Sequence, residues 1–508
     1  MFLLSLLPIA IILVLMLGFR WGASRAGPAG YLSAMMLAIA FFGAGPELLA
    51  YAHTKALLLS LDVLLIIWTA FLLFRVSDEA GAISIIGREL PRLTADRGMQ
   101  ALLIGWAFAS FLQGVGGFGV PVAVIAPIMV GLGFSPLSAV VIPSLGHSWA
   151  VTFGSLGSSF NALMAASGLD WDYLAAPAAI FLGISGLAIG FMVAHAAGGW
   201  GTMRRLLAPI IILGAVMGLA QYLAATSGLW NIGGFLGSLA GLLVGFPLAR
   251  RYRGDQNGNG VLDARSLAVA LSGYAVLVAI TLGVQLVPEV RSTLGGVVIG
   301  MDFPEVRTAL GYVTPAGAGR SIPIFRHAGA ILLYSSIISY VIYRRAGLYT
   351  KGAKRRILNG TVRRVVSSSV GIAAMVAMAV VMQHAGMTET LARGLAEGVG
   401  QAFPLVSPWI GALGAFMTGS NTNSNVVFTS LQMRTAELLG YSVALILAAQ
   451  TSGGALGSVI APTKIVVGAS TAGMEGREGE IMRKMLVYTG LLVSMMSVLA
   501  VIGVWVGG

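Results

Sequence analysis

Apolar residues in this chain come in long unbroken runs, with polar residues gathered between them, and show no period of two or of 3.6. A helical bilayer crossing needs ~20 such residues. Twelve runs approach that length, at 2–19, 30–52, 57–76, 136–160, 174–196, 206–225, 233–249, 267–287, 329–343, 365–386, 441–466 and 485–506. Two further stretches, 99–134 and 405–440, are ~54 Å long as single helices at 1.5 Å per residue, too long for one crossing. Each is interrupted near its middle by residues that break helices. They are expected to be re-entrant helical hairpins that enter and leave on one face.

Composition narrows the class further. Of 508 residues, 57% are hydrophobic and 10% charged, so a disordered chain or a soluble enzyme is excluded. The absence of cysteine removes disulfides, zinc-thiolate sites and thiol chemistry, and no cofactor is expected. Met1 to Phe19 has no basic leading region and no cleavage site, so it is expected to be a retained first span. The net charge of +12 would suit nucleic acid, but the charges sit in short loops, where topology explains them better.

The positive-inside rule tests the span count. With both termini outside and both hairpins re-entrant, 23 basic residues fall inside, among them Arg20, Arg25, Arg250, Arg251, Arg253, Lys354, Arg355, Arg356, Arg363 and Arg364. Seven fall outside: Lys55, Arg291, Arg307, Arg320, Arg326, Arg393 and Arg434. Counting either hairpin as a crossing would reverse every later loop. Seven crossings separate the hairpins, so the second dips in from the opposite side and the two are inverted copies. Weak internal similarity agrees: Phe111-Leu112-Gln113-Gly114 lines up with Phe416-Met417-Thr418-Gly419, and Leu132-Gly133-Phe134-Ser135 with Leu439-Gly440-Tyr441-Ser442. A span with a small-residue, polar break follows each, from Gly146 to Ser158 and from Gln450 to Thr463. The expected organisation is scaffold helices at 1–98, a first hairpin and broken helix at 99–170, and intervening helices at 171–404. A second hairpin and broken helix at 405–470 and a last helix at 471–508 complete it.

Irregular backbone at membrane depth is tolerated only where protein or water covers it, and its free N–H groups and carbonyls then serve a ligand. The first tip, Gln113, Gly114, Gly116, Gly117, Phe118 and Gly119, offers mainly backbone and suits an anion; close helix packing is the plainer alternative. The second tip, Ser420, Asn421, Thr422, Asn423, Ser424 and Asn425, is six polar residues inside an apolar stretch, costly to bury without a ligand or partners. His147, Ser148 and Thr152 in the first break, and Gln450, Thr451, Ser452 and Gly453 in the second, complete the candidate substrate site. His147 is a candidate proton carrier or a structural histidine. Lys464, within a span, is a candidate counter-charge or a residue that snorkels to the surface. Asp62 is a second proton-coupling candidate, although packing near the outer interface accounts for it as well. No metal-ligand cluster stands out.

The run Phe111-Leu112-Gln113-Gly114-Val115-Gly116-Gly117-Phe118-Gly119-Val120-Pro121-Val122-Ala123, followed by Val130-Gly131-Leu132-Gly133-Phe134-Ser135-Pro136-Leu137, resembles the signature of the L-lactate permease family. Phe153 to Gly157, Ala220 to Leu223, Gly419 to Thr422, Gln450 with Gly453-Gly454-Ala455, and Gly476 to Gly479 are similar to it too. The resemblance implies proton-coupled uptake of lactate, glycolate or a related 2-hydroxy monocarboxylate across the bacterial cytoplasmic membrane. It also implies an elevator-type transport domain moving against a dimerising scaffold. Four residues depart from the family pattern. Gln113 stands where Glu is usual, His147 where Asn is common, and Thr463-Lys464 where a His-Asn pair is common. A carboxylate is lost while His147 and Lys464 are gained, so sodium coupling, or anion exchange with Lys464 as fixed counter-charge, stays open. A membrane-embedded enzyme fits less well, because the spans carry no His-Glu-x-x-His and no paired carboxylates, and a channel fits less well because inverted hairpins suit alternating access better.

Overall fold

The computed structural model describes residues 1–19, 21–117, 119–252 and 263–507. Arg20, Phe118 and Arg253 lie outside the described residues. Helix dominates throughout. The first group is α1 (Phe2–Leu17), α2 (Ala23–Phe42), α3 (Pro46–Glu79) and α4 (Ala82–Glu89). Then α5 (Arg97–Gln100) runs through a π-helical segment, Ala101–Phe108, into α6 (Ala109–Val115), and α7 (Val120–Gly131) returns. Helices α8 (Pro136–Gly146) and α9 (Ser158–Ser167) flank an irregular stretch. Next come α10 (Trp171–Arg205), α11 (Leu207–Ala224), α12 (Gly233–Arg251), α13 (Ala264–Leu286) and α14 (Pro288–Gly295). After an extended arm follow α15 (Ala328–Arg345), α16 (Ala353–His384) and α17 (Met387–Val399). The pair α18 (Phe403–Thr418) and α19 (Asn421–Leu439) precedes α20 (Val443–Gly457), α21 (Pro462–Thr471) and α22 (Glu478–Gly507).

Among the described residues, nine helical stretches are long and apolar enough to cross a membrane. The sequence pattern suggested twelve spans, and several boundaries differ. The apolar run at 30–52 is divided, because Gly43 turns left-handed (φ +68°) and Pro46 starts α3 where its missing N–H costs nothing. The runs at 206–225 and 233–249 lie in one nearly continuous stretch, Leu207–Arg251. Exposed Leu, Ile and Val side chains on α11, α15, α16 and α22, such as Leu219, Ile337, Val366 and Leu491, give these helices an apolar outer face.

Two packing groups emerge. In one, α16 lies along α2 and α3, and α15 lies along α3 and α13. Small residues set the spacing: a Cβ on Gly27 of α2 would come 3.1 Å from the Gly371 carbonyl of α16. In the other, each helical pair packs its first arm on the broken helix that follows it, α18 on α20 and the π-helical segment on α8. The second arms cross over: α19 packs on α9, and α7 packs on α21. Helices α10 to α12 wrap α8 and α6, and α22 covers α18 and α20.

The region 288–328, between the apolar runs at 267–287 and 329–343, holds a long antiparallel β-hairpin. Strands β1 (Val298–Ile299), β2 (Asp302–Phe303) and β3 (Val306–Arg307) pair with β6 (Ile322–Pro323), β5 (Gly317–Ala318) and β4 (Val313–Thr314), respectively, in nested register. This arm lies across the helix ends. The Ala309 N–H donates to the Gly43 carbonyl at 2.8 Å, and Phe303 meets Tyr51 edge-on.

Candidate functional site

Both tips are built on left-handed glycines, but they differ in how much chain is irregular. In the first, α6 ends at Val115, and Gly117 (φ +55°) and Gly119 (φ +87°) turn the chain into α7. No side chain fits at Gly117, because a Cβ there would sit 1.7 Å from Ser155 Oγ. In the second tip only Gly419 and Ser420 leave the helix. Asn421 to Asn425, expected as part of the tip, form the first turns of α19, with Ser420 capping by accepting the Asn423 N–H. The polar run is therefore a helix N-terminus inside an apolar surround.

The first break lies where expected, between Gly146 and Ser158. Ser155 (φ +47°), Leu156 (φ +55°) and Gly157 (φ +75°) are three consecutive left-handed residues. Two of them carry side chains and are strained, and such strain concentrates at functional sites. The second break lies later than expected. Gln450 to Gly457 remain helical and the irregular segment is Ser458–Ala461, ended by Pro462 at the start of α21. Glycine-rich composition here serves packing: a Cβ on Gly453 would lie 1.9 Å from the Pro408 carbonyl, and one on Gly411 2.0 Å from the Gln450 carbonyl. Helices α18 and α20 thus touch backbone to backbone.

These elements converge on one buried network. Asn421 Nδ2 donates to Thr152 Oγ1 (3.1 Å), Thr451 O (3.1 Å) and Thr451 Oγ1 (3.3 Å). Thr152 and Thr451 meet hydroxyl to hydroxyl at 3.3 Å. Asn425 Nδ2 donates to Thr451 Oγ1 (2.9 Å) and to the Ser159 carbonyl (2.8 Å), and Gln450 Nε2 donates to Asn425 Oδ1 (3.0 Å). Ser159 and Thr422 hydroxyls pair at 3.0 Å. The second tip, the first break and α20 are therefore tied by side chains less than 5% exposed. The first tip joins through Gln113, whose Nε2 lies 3.5 Å from Ser155 Oγ, three residues beyond Thr152. Several acceptors in this cluster have no protein partner among the described residues: Gln113 Oε1, Asn421 Oδ1, Gln450 Oε1 and Ser452 Oγ. Unpaired polar atoms that deep are costly unless something else bonds them.

His147 is fully buried. Its Nδ1 donates to the Pro143 carbonyl at 2.6 Å, which leaves Nε2 with a lone pair and no partner. Lys464 bonds Ser458 Oγ at 3.1 Å in the second break and lies within electrostatic reach of His147. The second tip reaches the same place, since a Cβ on Gly419 would lie 2.9 Å from Thr463 Oγ1. Other expected residues stand apart. Ser148 Oγ donates to the Leu145 carbonyl in the last turn of α8, Ser424 Oγ donates to the Gly411 carbonyl, and Asn423 lines a small crevice with Ile9 and Ile12 of α1. Gly114 and Gly116 make room for Phe235 and Phe74.

Asp62 belongs to a second cluster. Its carboxylate accepts from Asn161 Nδ2 (2.8 Å), Arg320 Nε (3.0 Å) and His327 Nε2 (2.9 Å), and Arg320 also reaches Asn161 Oδ1 (3.1 Å). His327 Nδ1 accepts the Gly329 N–H, so the proton on Nε2 faces Asp62. Sequence reasoning passed over Ser159, Asn161, Arg320 and His327. Ser159 and Asn161 carried a signal, as polar residues directly after the break in an apolar span. Arg320 and His327 carried none, being hundreds of positions away.

Comparisons with known proteins return one name repeatedly. The chain is 26% identical over 469 aligned positions to the L-lactate permease of Salmonella typhimurium, covering 87% of this chain and 84% of that protein. It is 27% identical over 552 positions to the glycolate permease of Escherichia coli K12 (99% and 96%), and 28% identical over 457 positions to the L-lactate permease of Bacillus subtilis (82% and 80%). Among solved structures, the YdaH transporter of Alcanivorax borkumensis superposes with a TM-score of 0.48 at 16% identity, covering 91% of this chain and 88% of its own. The family-wide profile described as L-lactate permease matches residues 1–507, so the helices and the buried polar cluster just described are those of an integral membrane protein that belongs to the L-lactate permease family.

Proposed function

We propose that the protein is a secondary transporter of a small hydroxy-carboxylate, lactate or glycolate in kind, in the bacterial cytoplasmic membrane, with both termini outside. The observation that carries this reading is the Asn421–Thr152–Thr451 cluster, where a hairpin tip meets both broken helices. The crossed packing of second arms, α19 on α9 and α7 on α21, supports two inverted repeats with re-entrant hairpins. A carboxylate would take the Asn421 and Asn425 amides and the threonine hydroxyls as donors, exchanging side-chain contacts for ligand contacts. The unpaired Gln113, Gln450 and Ser452 oxygens would accept from a substrate hydroxyl. The α19 N-terminus favours negative charge at the same end.

Coupling to protons would use the free lone pair on His147 Nε2, beside the charge of Lys464. Movement would be elevator-like, with the hairpins and broken helices shifting against the α2, α3, α15 and α16 group, which would also supply a dimer contact. The test is uptake of labelled lactate and glycolate into proteoliposomes. Asn421→Ala removes three hydrogen bonds of about 1 kcal/mol each, and uptake should fall at least tenfold with the protein still folded. Uptake unchanged in both Asn421→Ala and Thr152→Val would overturn the site. Lys464 at the second break supports exchange as the rival reading. Counterflow without a pH gradient that persists in His147→Gln would favour it.

A further inference from the structure

A cavity of about 380 Å³ lies between the two packing groups, away from the central network. Ligand sites begin at ~300 Å³, so this one suits a small molecule. One wall is α3 and α16, contributing Lys55, Val63 and Gln383. The opposite wall is α9 and α19, contributing Ala165, Ala166 and Ser430, and the β-arm closes one side with Arg320. Lys55 is half-buried and has no hydrogen-bonding or ion-pair partner among the described residues, so its ammonium faces the cavity unneutralised. Arg320 is shared: Nε serves Asp62 and one terminal nitrogen serves Asn161, leaving the other terminal nitrogen uncommitted. Asp170 lines the cavity too, but it is exposed. The lining therefore presents a bare cation, a second cation with spare donors, and the Gln383 amide, beside apolar side chains such as Val63 and Ala165.

We propose that this cavity is a second carboxylate site, a vestibule that captures the anion before it reaches the central network. The proposal rests on the transport reading for its direction but not for its chemistry. Two cations, Lys55 and Arg320, against the single exposed carboxylate of Asp170 raise the local concentration of anions. The vestibule shares α9 with the central site, Ala162 lying three positions and Ala165 six positions beyond the Ser159 contact. An anion held at Lys55 thus lies beside the helix that begins at the first break.

The cysteine-free chain offers a direct test. Ala165→Cys, with Ala166→Cys as an independent second position, places one thiol in the wall. Its reaction with an anionic sulfonate thiol reagent is compared with that of a cationic trimethylammonium reagent of similar size. Relative to a free thiol in solution, the anionic reagent should gain at least fivefold, and Lys55→Gln should abolish the gain while Lys55→Arg keeps it. Millimolar lactate or glycolate should slow the reaction, and sulfate at equal ionic strength should not. No charge preference at either position, a preference unmoved by Lys55→Gln, or equal protection by sulfate would overturn the carboxylate site. Because labelling needs no transport, a positive result alongside normal uptake in Asn421→Ala would sink the central-site reading and leave the vestibule standing. In uptake, Lys55→Gln should raise KM about fivefold or more with little change in maximal rate.

Discussion

The Asp62–Arg320 pair is asymmetric in its access to water. Asp62 is 1% exposed, whereas the Arg320 side chain is 23% exposed and borders the cavity. Breaking a buried ion pair from one side typically costs ~3–5 kcal/mol, because the remaining charge is left without a partner. Which charge remains decides the size here. In Asp62→Asn the leftover guanidinium rotates toward the cavity and hydrates, and the Asn oxygen still accepts from His327 or Asn161. The expected loss is therefore at or below the low end, about 2–3 kcal/mol. In Arg320→Gln the leftover carboxylate has no solvent and keeps only two neutral donors, so the loss should approach about 4–5 kcal/mol. The double variant should be more stable than Arg320→Gln alone, since neither charge is then stranded. The assay is thermal unfolding of the purified protein in one detergent, with chemical denaturation as a second measure. Equal single effects, a milder Arg320→Gln, or simple additivity in the double variant would refute a desolvated carboxylate as the centre of this cluster.

Other substitutions test other links. Gly117→Ala puts a Cβ on top of Ser155 Oγ in a left-handed residue; uptake should drop at least tenfold, and Ser155→Gly in the same chain should restore part of it, a rescue whose absence would show that the first tip does not lean on that serine. His147→Gln should flatten the dependence of uptake on external pH; a profile identical to the parent's would remove His147 from coupling. Gly453→Ala overpacks the α18–α20 contact and should cost about 1–3 kcal/mol in a melting experiment, while Gly490→Ala, where a Cβ meets open space, should be neutral or stabilising by up to ~1 kcal/mol.

The membrane-spanning helical character was legible because bilayer length leaves a strong mark on apolar runs. The interruptions within 99–134 and 405–440 and the first break followed from run length and helix-breaking residues. The second break did not, because glycine reads alike whether it unwinds a helix or lets two helices touch, as Gly453 and Gly411 do. Asn421 to Asn425 read as the tip itself, since asparagine and serine favour turns; tertiary bonds to Thr152, Ser159 and Thr451 accompany their helical conformation. Four of the seven basic residues that broke the charge rule have carboxylate partners: Arg307 with Glu305, Arg320 with Asp62, and Arg393 and Arg434 with Glu389. A count of basic residues takes no account of such pairs. The arm at 298–323 escaped notice because two-residue strands leave no alternation to detect.

Helix α9 binds at two levels within one turn. Ser159 touches the second tip and Asn161 touches Asp62 and Arg320, whose own backbone belongs to the β-arm. That turn is joined through Arg320 to a hairpin whose far end, near Gly311, carries exposed residues such as Leu310 beside the Ala309 bond to Gly43. A spin label or fluorophore at that distant point should report events in the interior without touching any residue that handles the cargo.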